Sequence, residues 1–220
     1  MARGKYSLRS IALRVPVILV GVLIQAFGMA SIIMANLGSD PITAFAQGLG
    51  NVLGLSFGNA MIIYNIVFLL AVLFLDRKTI GVGTVLHAVT VGAFVDMVTP
   101  WVGKMAGPAP VLSVKIMLLL AGTVLLAVGL GFYQSAEFGL GSPDAFNQII
   151  ARKLKMQLRW WRMIFDGLMI VGALIMGGVV HAGTLLGMLM VGPIMGPLIN
   201  KMAPLVNKWS GNEDLIVEVK

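Results

Sequence analysis

The sequence predicts an all-α polytopic membrane protein with six transmembrane helices, arranged as two inverted three-helix repeats that each hold a short non-spanning helix. Three observations predict it. Of 220 residues, 58% are hydrophobic and 11% charged, with a mean hydropathy of +0.94; a soluble domain carries about 25% charged residues. The apolar residues gather into runs close to the ~20 residues that cross a bilayer as helix, without the alternation of a barrel strand. The second half of the chain also repeats the first. The whole, 1–220, reads as one membrane domain, with a first repeat over 8–103, a second over 113–200 and a cytoplasmic tail over 201–220.

The six runs are Val15 to Ala35, Phe57 to Leu75, Thr79 to about Thr99, Ile116 to Ala136, about Trp160 to Val179, and Ala182 to Asn200. The basic stretch before the first resembles the start of a signal peptide, but the run behind it is too long and five more follow, so it reads as a retained anchor. Lys and Arg mark the cytoplasmic loops of membrane proteins. One set of loops holds fourteen of the sixteen: Arg3, Lys5, Arg9 and Arg14; Arg77 and Lys78; Arg152, Lys153, Lys155, Arg159 and Arg162; Lys201, Lys208 and Lys220. The other set holds Lys104 and Lys115. Both termini are therefore expected inside. Adding spans at 41–56 and 143–158 would bury Arg152, Lys153 and Lys155 at roughly 3 kcal/mol each.

The repeat emerges at an offset of about 100. Gly21, Gly28 and Ala35 pair with Gly122, Gly129 and Ala136, and GTVLHAVTVG (83–92) pairs with GTLLGMLMVG (183–192). Leu37-Gly38-Ser39 aligns with Leu140-Gly141-Ser142, and a two-residue gap then aligns Phe45 and Gln47 with Phe146 and Gln148. Three crossings per half place the halves in opposite orientations, the architecture of many secondary transporters.

Each half contains a turn that opens a short helix. Ser39 and Asp40 are N-cap types and Pro41 suits the first helical position; Ser142, as cap, with Pro143 and Asp144 repeats the chemistry. The free N–H groups of such helices either hold a polar ligand group or are filled by these side chains themselves. Residues 41–55 are apolar and Gly-rich, suited to a re-entrant element, whereas 143–162 read as a basic interfacial helix. Arg152, Lys153, Lys155 and Arg159 are expected on the anionic inner leaflet, with Trp160 and Trp161 as anchors, rather than on nucleic acid.

Polar residues within spans usually face a bundle interior or cavity. Gln25, Asn65, Gln134 and Asp166 are the candidates for a central site, together with Ser39, Asp40, Ser142 and Asp144 at the turns. Asn65 precedes Gly83 by 18 residues and Asp166 precedes Gly183 by 17, which makes the two symmetry mates: they either coordinate a solute or ion, or tie helices together. His87 reads as a packing partner, His181 as solvated, and Asp96 as reaching headgroups. Gly183, Gly187, Gly192, Gly196 and the Ala88/Gly92 pair suit close helix packing, and exposed Gly faces allow a homo-oligomer. Pro193 and Pro197 are expected to kink or end the last helix.

No enzyme is expected. The sequence has no cysteine, two histidines, and no H-E-x-x-H, G-x-S-x-G or P-loop motif; no metal or cofactor is expected either.

The LGSDPITAF turn, the LSFGNAMIIYNIVFLL span and the GTVLHAVTVGAFVDM run resemble the bacterial YczE/YyaS/YitT family of integral membrane proteins, with Gly38, Asp40, Asn65, Gly83, Thr84 and Asp96 at matching positions. Where members often have Gly-Pro-Trp-Asp, this chain has Gly-Ser-Asp-Pro. The resemblance implies a bacterial plasma-membrane protein presumed to transport a substrate it does not specify. The expected function is a secondary transporter or permease for a small solute, with a non-transporting accessory or assembly protein as the alternative.

Overall fold

The computed structural model describes residues 8–210, which form eight α-helices and no strand. Arg3, Lys5 and residues 211–220 of the expected tail lie outside the described residues. The helices are α1 (Leu8–Ala35), α2 (Pro41–Leu53), α3 (Phe57–Asp76), α4 (Val82–Ala106), α5 (Leu112–Ser135), α6 (Ser142–Lys153), α7 (Leu158–Ile175) and α8 (Ala182–Trp209). Five of them, α1, α3, α4, α5 and α8, are long and apolar enough to cross a membrane. The fifth expected span is α7, with 18 residues and with Arg159, Arg162 and Asp166 in its N-terminal half.

At the centre, α1 and α5 cross with their backbones in contact. A Cβ on Gly21 would lie 2.9 Å from the Gly129 carbonyl oxygen, and one on Gly129 would lie 2.6 Å from that of Gly21. Gly28 and Gly122 face each other in the same way, at 2.7 and 2.8 Å. Side chains are excluded there, so dispersion and close backbone packing hold the pair. α4 lies along α1 and α8 along α5, and α2 and α6 cross over to pack on α7 and α3 respectively.

The two chain corners are alike. After α1, Asn36 and Gly38 have φ of 51° and 98°; after α5, Glu137 and Gly139 have 47° and 129°. The Gly183 N–H donates to the Leu37 carbonyl at 2.9 Å, and the Gly83 N–H donates to the Phe138 carbonyl at 2.9 Å. Gly38 therefore corresponds to Gly139, not to Gly141, and helices begin at Pro41 and Ser142 without the two-residue gap that the Leu-Gly-Ser identities suggested. Backbone conformation needs glycine at the positive-φ position, and this outweighs the identity of the neighbouring residues. As a result Gly141, not Ser142, is the N-cap of α6.

Other expectations change for equally local reasons. Asp96 does not reach outward: it accepts from the Gly58 N–H at 2.8 Å and from the Ser56 hydroxyl, closing the N-terminus of α3. The basic 143–162 segment is not one helix, because α6 stops at Lys153, Lys155 adopts φ 52°, and α7 begins at Leu158. α8 runs on through Pro193, Pro197 and Pro204, so residues 201–209 are helix rather than tail. Gly183 and Gly187 pack on the backbone of the first turn, whereas Gly192 and Gly196 meet no neighbour.

That extension of α8 has a purpose in Arg14. Fully buried, Arg14 donates to Ser10 Oγ (3.1 Å), the Ala136 carbonyl, Asn207 Oδ1 (2.7 Å) and Ser210 Oγ (2.9 Å). One guanidinium joins α1, the end of α5 and the end of α8. Asn207 is oriented in turn by its Nδ2 donating to Glu137 Oε2 at 2.8 Å.

Gly129→Ala is expected to force the α1/α5 crossing apart and lower stability by about 3 kcal/mol. Gly196→Ala, in open space, should be neutral or stabilise by up to roughly 1 kcal/mol through helix propensity. Arg14→Leu should cost about 2–4 kcal/mol, because it strands several buried acceptors. Thermal unfolding in detergent checks all three.

Candidate functional site

α2 and α6 are too short to cross a bilayer, and their N-termini face the interior of the bundle. α2 runs out along α7, with Gly48 against Ala173 and Met176 and Asn51 Nδ2 donating to the Gly177 carbonyl at 2.8 Å. α6 runs along α3 towards the basic end: Ser142 at its start bonds Asn65, and Arg152 near its end pairs with Asp76 at 2.5 Å. Their opening turns meet one cavity of about 430 Å³, which also takes walls from α1, α3, α4, α5, α7 and α8. Its size falls within the usual range for small-molecule sites.

Five of the eight expected site residues line this cavity: Gln25, Asp40, Asn65, Asp144 and Asp166. Asn65 and Asp166, predicted as mates, sit on the same wall system, α3 and α7. The other three stand one layer behind. Ser142 Oγ donates to Asn65, with the Asn65 carbonyl at 3.0 Å and Oδ1 at 3.1 Å, while Asn65 Nδ2 donates to the Met61 carbonyl at 2.9 Å. Gln134 Nε2 donates to Asp144 Oδ2 at 3.3 Å. Ser39 is buried beside Asp40, its Oγ without a hydrogen-bond partner among the described residues.

Two further polar lining residues, Arg162 and Arg159, were read otherwise from sequence, while His87 packs as expected and Tyr133 was not singled out. Arg162, counted as a loop charge, reaches in to Asp144 Oδ1 at 2.8 Å. Arg159, expected among lipid headgroups, also lines the cavity. The ring of His87 stacks on Tyr133 with centroids 4.4 Å apart, and its Nε2 lies 3.1 Å from Gln25 Oε1. Tyr133 was hidden because nothing in its local pattern distinguishes it from a core aromatic. For the arginines a signal existed: Arg159, Arg162 and Asp166 recur at helical spacing on one face of α7.

Both helix N-termini already hold carboxylates. Asp40 Oδ2 accepts from the Thr43 N–H at 3.2 Å, and Asp144 occupies the first turn of α6. Burial raises the Asp40 carboxyl above its ordinary value, opposed by the bond from Thr43. Its other oxygen, Oδ1, is enclosed and has no partner among the described residues.

The cavity is not closed symmetrically. α3 packs closely on α4, whereas α7 and α8 hardly touch. Met163 and Asp166 on one side and Met188, Val191 and Met195 on the other line the space between them.

The chain is similar to known membrane proteins over nearly its whole length. The family of unknown function DUF6198 matches residues 12–200. The uncharacterized membrane protein YczE of Bacillus subtilis is 28% identical over 191 residues, 85% of this chain and 86% of its own. The uncharacterized protein YyaS of the same organism is 26% identical, over 86% of this chain and 92% of its own. An uncharacterized protein of Haemophilus influenzae is 23% identical over 87% of this chain and 85% of its own. No solved structure matches the chain.

Ser142→Ala removes the hydroxyl that fixes Asn65 and should cost about 1 kcal/mol. Ser142→Thr, if it keeps the bond, should recover part of it; thermal unfolding of the two variants in detergent checks this.

Proposed function

The chain belongs to the family of unknown function DUF6198, and for this membrane protein we propose a secondary transporter or permease for a small polar solute. The observation that carries the reading is the cavity itself. An accessory protein can fill its centre with apolar side chains, whereas here Gln25, Asp40, Asn65, Asp144, Arg162 and Asp166 converge on an open space inside an apolar bundle. Polar and ionised groups at membrane depth are costly, and they concentrate along solute pathways.

We read α7 as the sixth span. Its 18 residues are about 27 Å long, and its charges lie on the cavity and at the basic end rather than at random. The matched corners and the reciprocal glycine contacts support two inverted repeats. Exchanging Gly21 with Gly122 and Gly28 with Gly129 turns the contact Gly21/Gly129 into Gly122/Gly28, which is also present, as a two-fold axis in the membrane plane requires. Half-helices entering from opposite faces would then meet at a central site, and rocking of the halves would alternate access. The distribution of Lys and Arg favours both termini on the cytoplasmic side of a bacterial plasma membrane, with exposed Lys153 and Lys155 at the anionic leaflet. No catalysis is assigned to the site.

The absence of cysteine makes single-cysteine labelling a direct test. Leu130→Cys and Val191→Cys, both on the cavity wall, should react with a membrane-impermeant thiol reagent from either side of reconstituted vesicles. Reaction from one face only, at both positions, would overturn transport in favour of the accessory reading. In intact cells Lys104→Cys should react and Lys153→Cys should not, which checks the orientation separately.

A further inference from the structure

The hydrogen-bond inventory of the cavity selects among solutes. Asp144 is committed to Arg162 and Gln134, and Asn65 to Ser142 and Met61. With Gln25 Oε1 as acceptor, His87 Nε2 carries the proton and Nδ1 presents a lone pair. His87 is only 5% exposed and lines the cavity, and that nitrogen is enclosed and has no partner among the described residues. Asp40 Oδ1 has none either, and Asp166 makes no hydrogen bond to any described residue. The fully enclosed unpartnered atoms of these lining residues are therefore acceptors, while Gln25 Nε2 and the Arg159 guanidinium are lining donors without a hydrogen bond to a described residue, so that charge decides between solutes. Counting charge, three carboxylates face two guanidiniums, one of which is already paired with Asp144.

An anion is disfavoured on two grounds. The helix N-termini that would attract it are occupied by Asp40 and Asp144, and Asp166 adds like charge. A donor-rich cation meets the opposite situation. The remaining wall is apolar and deformable, with Met29, Met61, Met163, Met188 and Met195 on it, side chains that adapt to varied apolar shapes.

We propose that the cavity binds a small monovalent organic amine, its ammonium group donating to Asp40 and Asp166 and its apolar body lying against the methionines. The inference rests on the transport reading for its purpose, but binding is measured independently of transport.

The experiment uses two shape-matched sets on the full chain in lipid nanodiscs: benzylamine, benzyl alcohol and benzoate, and butylamine, butanol and butyrate. Ligand bound to the native state raises the unfolding temperature. At least one amine should do so while its alcohol and carboxylate partners do not. Asp166→Asn and Asp40→Asn, each isosteric, should weaken that amine at least about tenfold, the loss of one hydrogen bond to a charged group. If one variant fails to fold, the other decides. Stabilisation by a carboxylate or alcohol equal to that by its amine would overturn the proposal, and so would no shift from either amine. Amine binding in nanodiscs without uptake into vesicles would retain this inference and remove the transport reading. Uptake of benzoate without amine binding would do the reverse.

Discussion

Two helices whose backbones touch determine what the rest of this protein can be. Where α1 and α5 cross, Gly21, Gly28, Gly122 and Gly129 leave no room for a Cβ. In a bilayer the hydrophobic effect does not drive helices together, so close approach and dispersion must do so. The crossing fixes the directions in which both helices leave the centre. Their following corners then carry Leu37 and Phe138 to the starts of α8 and α4, where backbone bonds seal each half onto the other.

The cavity is a consequence of that framework. α2 and α6 start inside the bundle because each corner turns the chain back into it, and each is held by a helix of the other half of the chain, α7 and α3. Their first turns need partners for N–H groups that a spanning helix would place in water. Asp40 supplies one by accepting from the Thr43 N–H, Asp144 lies in the first turn of α6 where the helix dipole favours it, and both bring charge to the centre. Arg162 then balances Asp144 from α7. Polarity at the centre follows from folding two half-helices inward and is available for binding.

The two halves of the chain differ in how closely their last two helices pack. α3 closes on α4 with Gly58 and Gly92 in backbone contact and Asp96 capping α3, whereas α7 and α8 stay apart. Gly92 has its sequence counterpart in Gly192, but no glycine of α7 meets it and Gly192 stands open. The unequal closure leaves one side of the cavity bounded by flexible methionines, the side on which a solute of varied shape is most easily accommodated.

Sequence by itself determined the membrane class, the all-helical fold and five of the polar residues on the cavity wall, because hydropathy, caps and charge are local quantities. Pro41 opening a helix and Gln25, Asp40, Asn65, Asp144 and Asp166 facing a cavity were all legible in this way. What only the tertiary structure decided was register and partnership. The Leu-Gly-Ser identity misaligned the second corner, since φ at Gly38 and Gly139 sets the correspondence. Arg14 and Arg162 look like ordinary loop cations until helices remote in sequence bring Asn207 and Asp144 to them. A charge count reads the side of a membrane, but the partner of a charge is fixed by packing, and packing here is set by glycine pairs 94 and 108 residues apart.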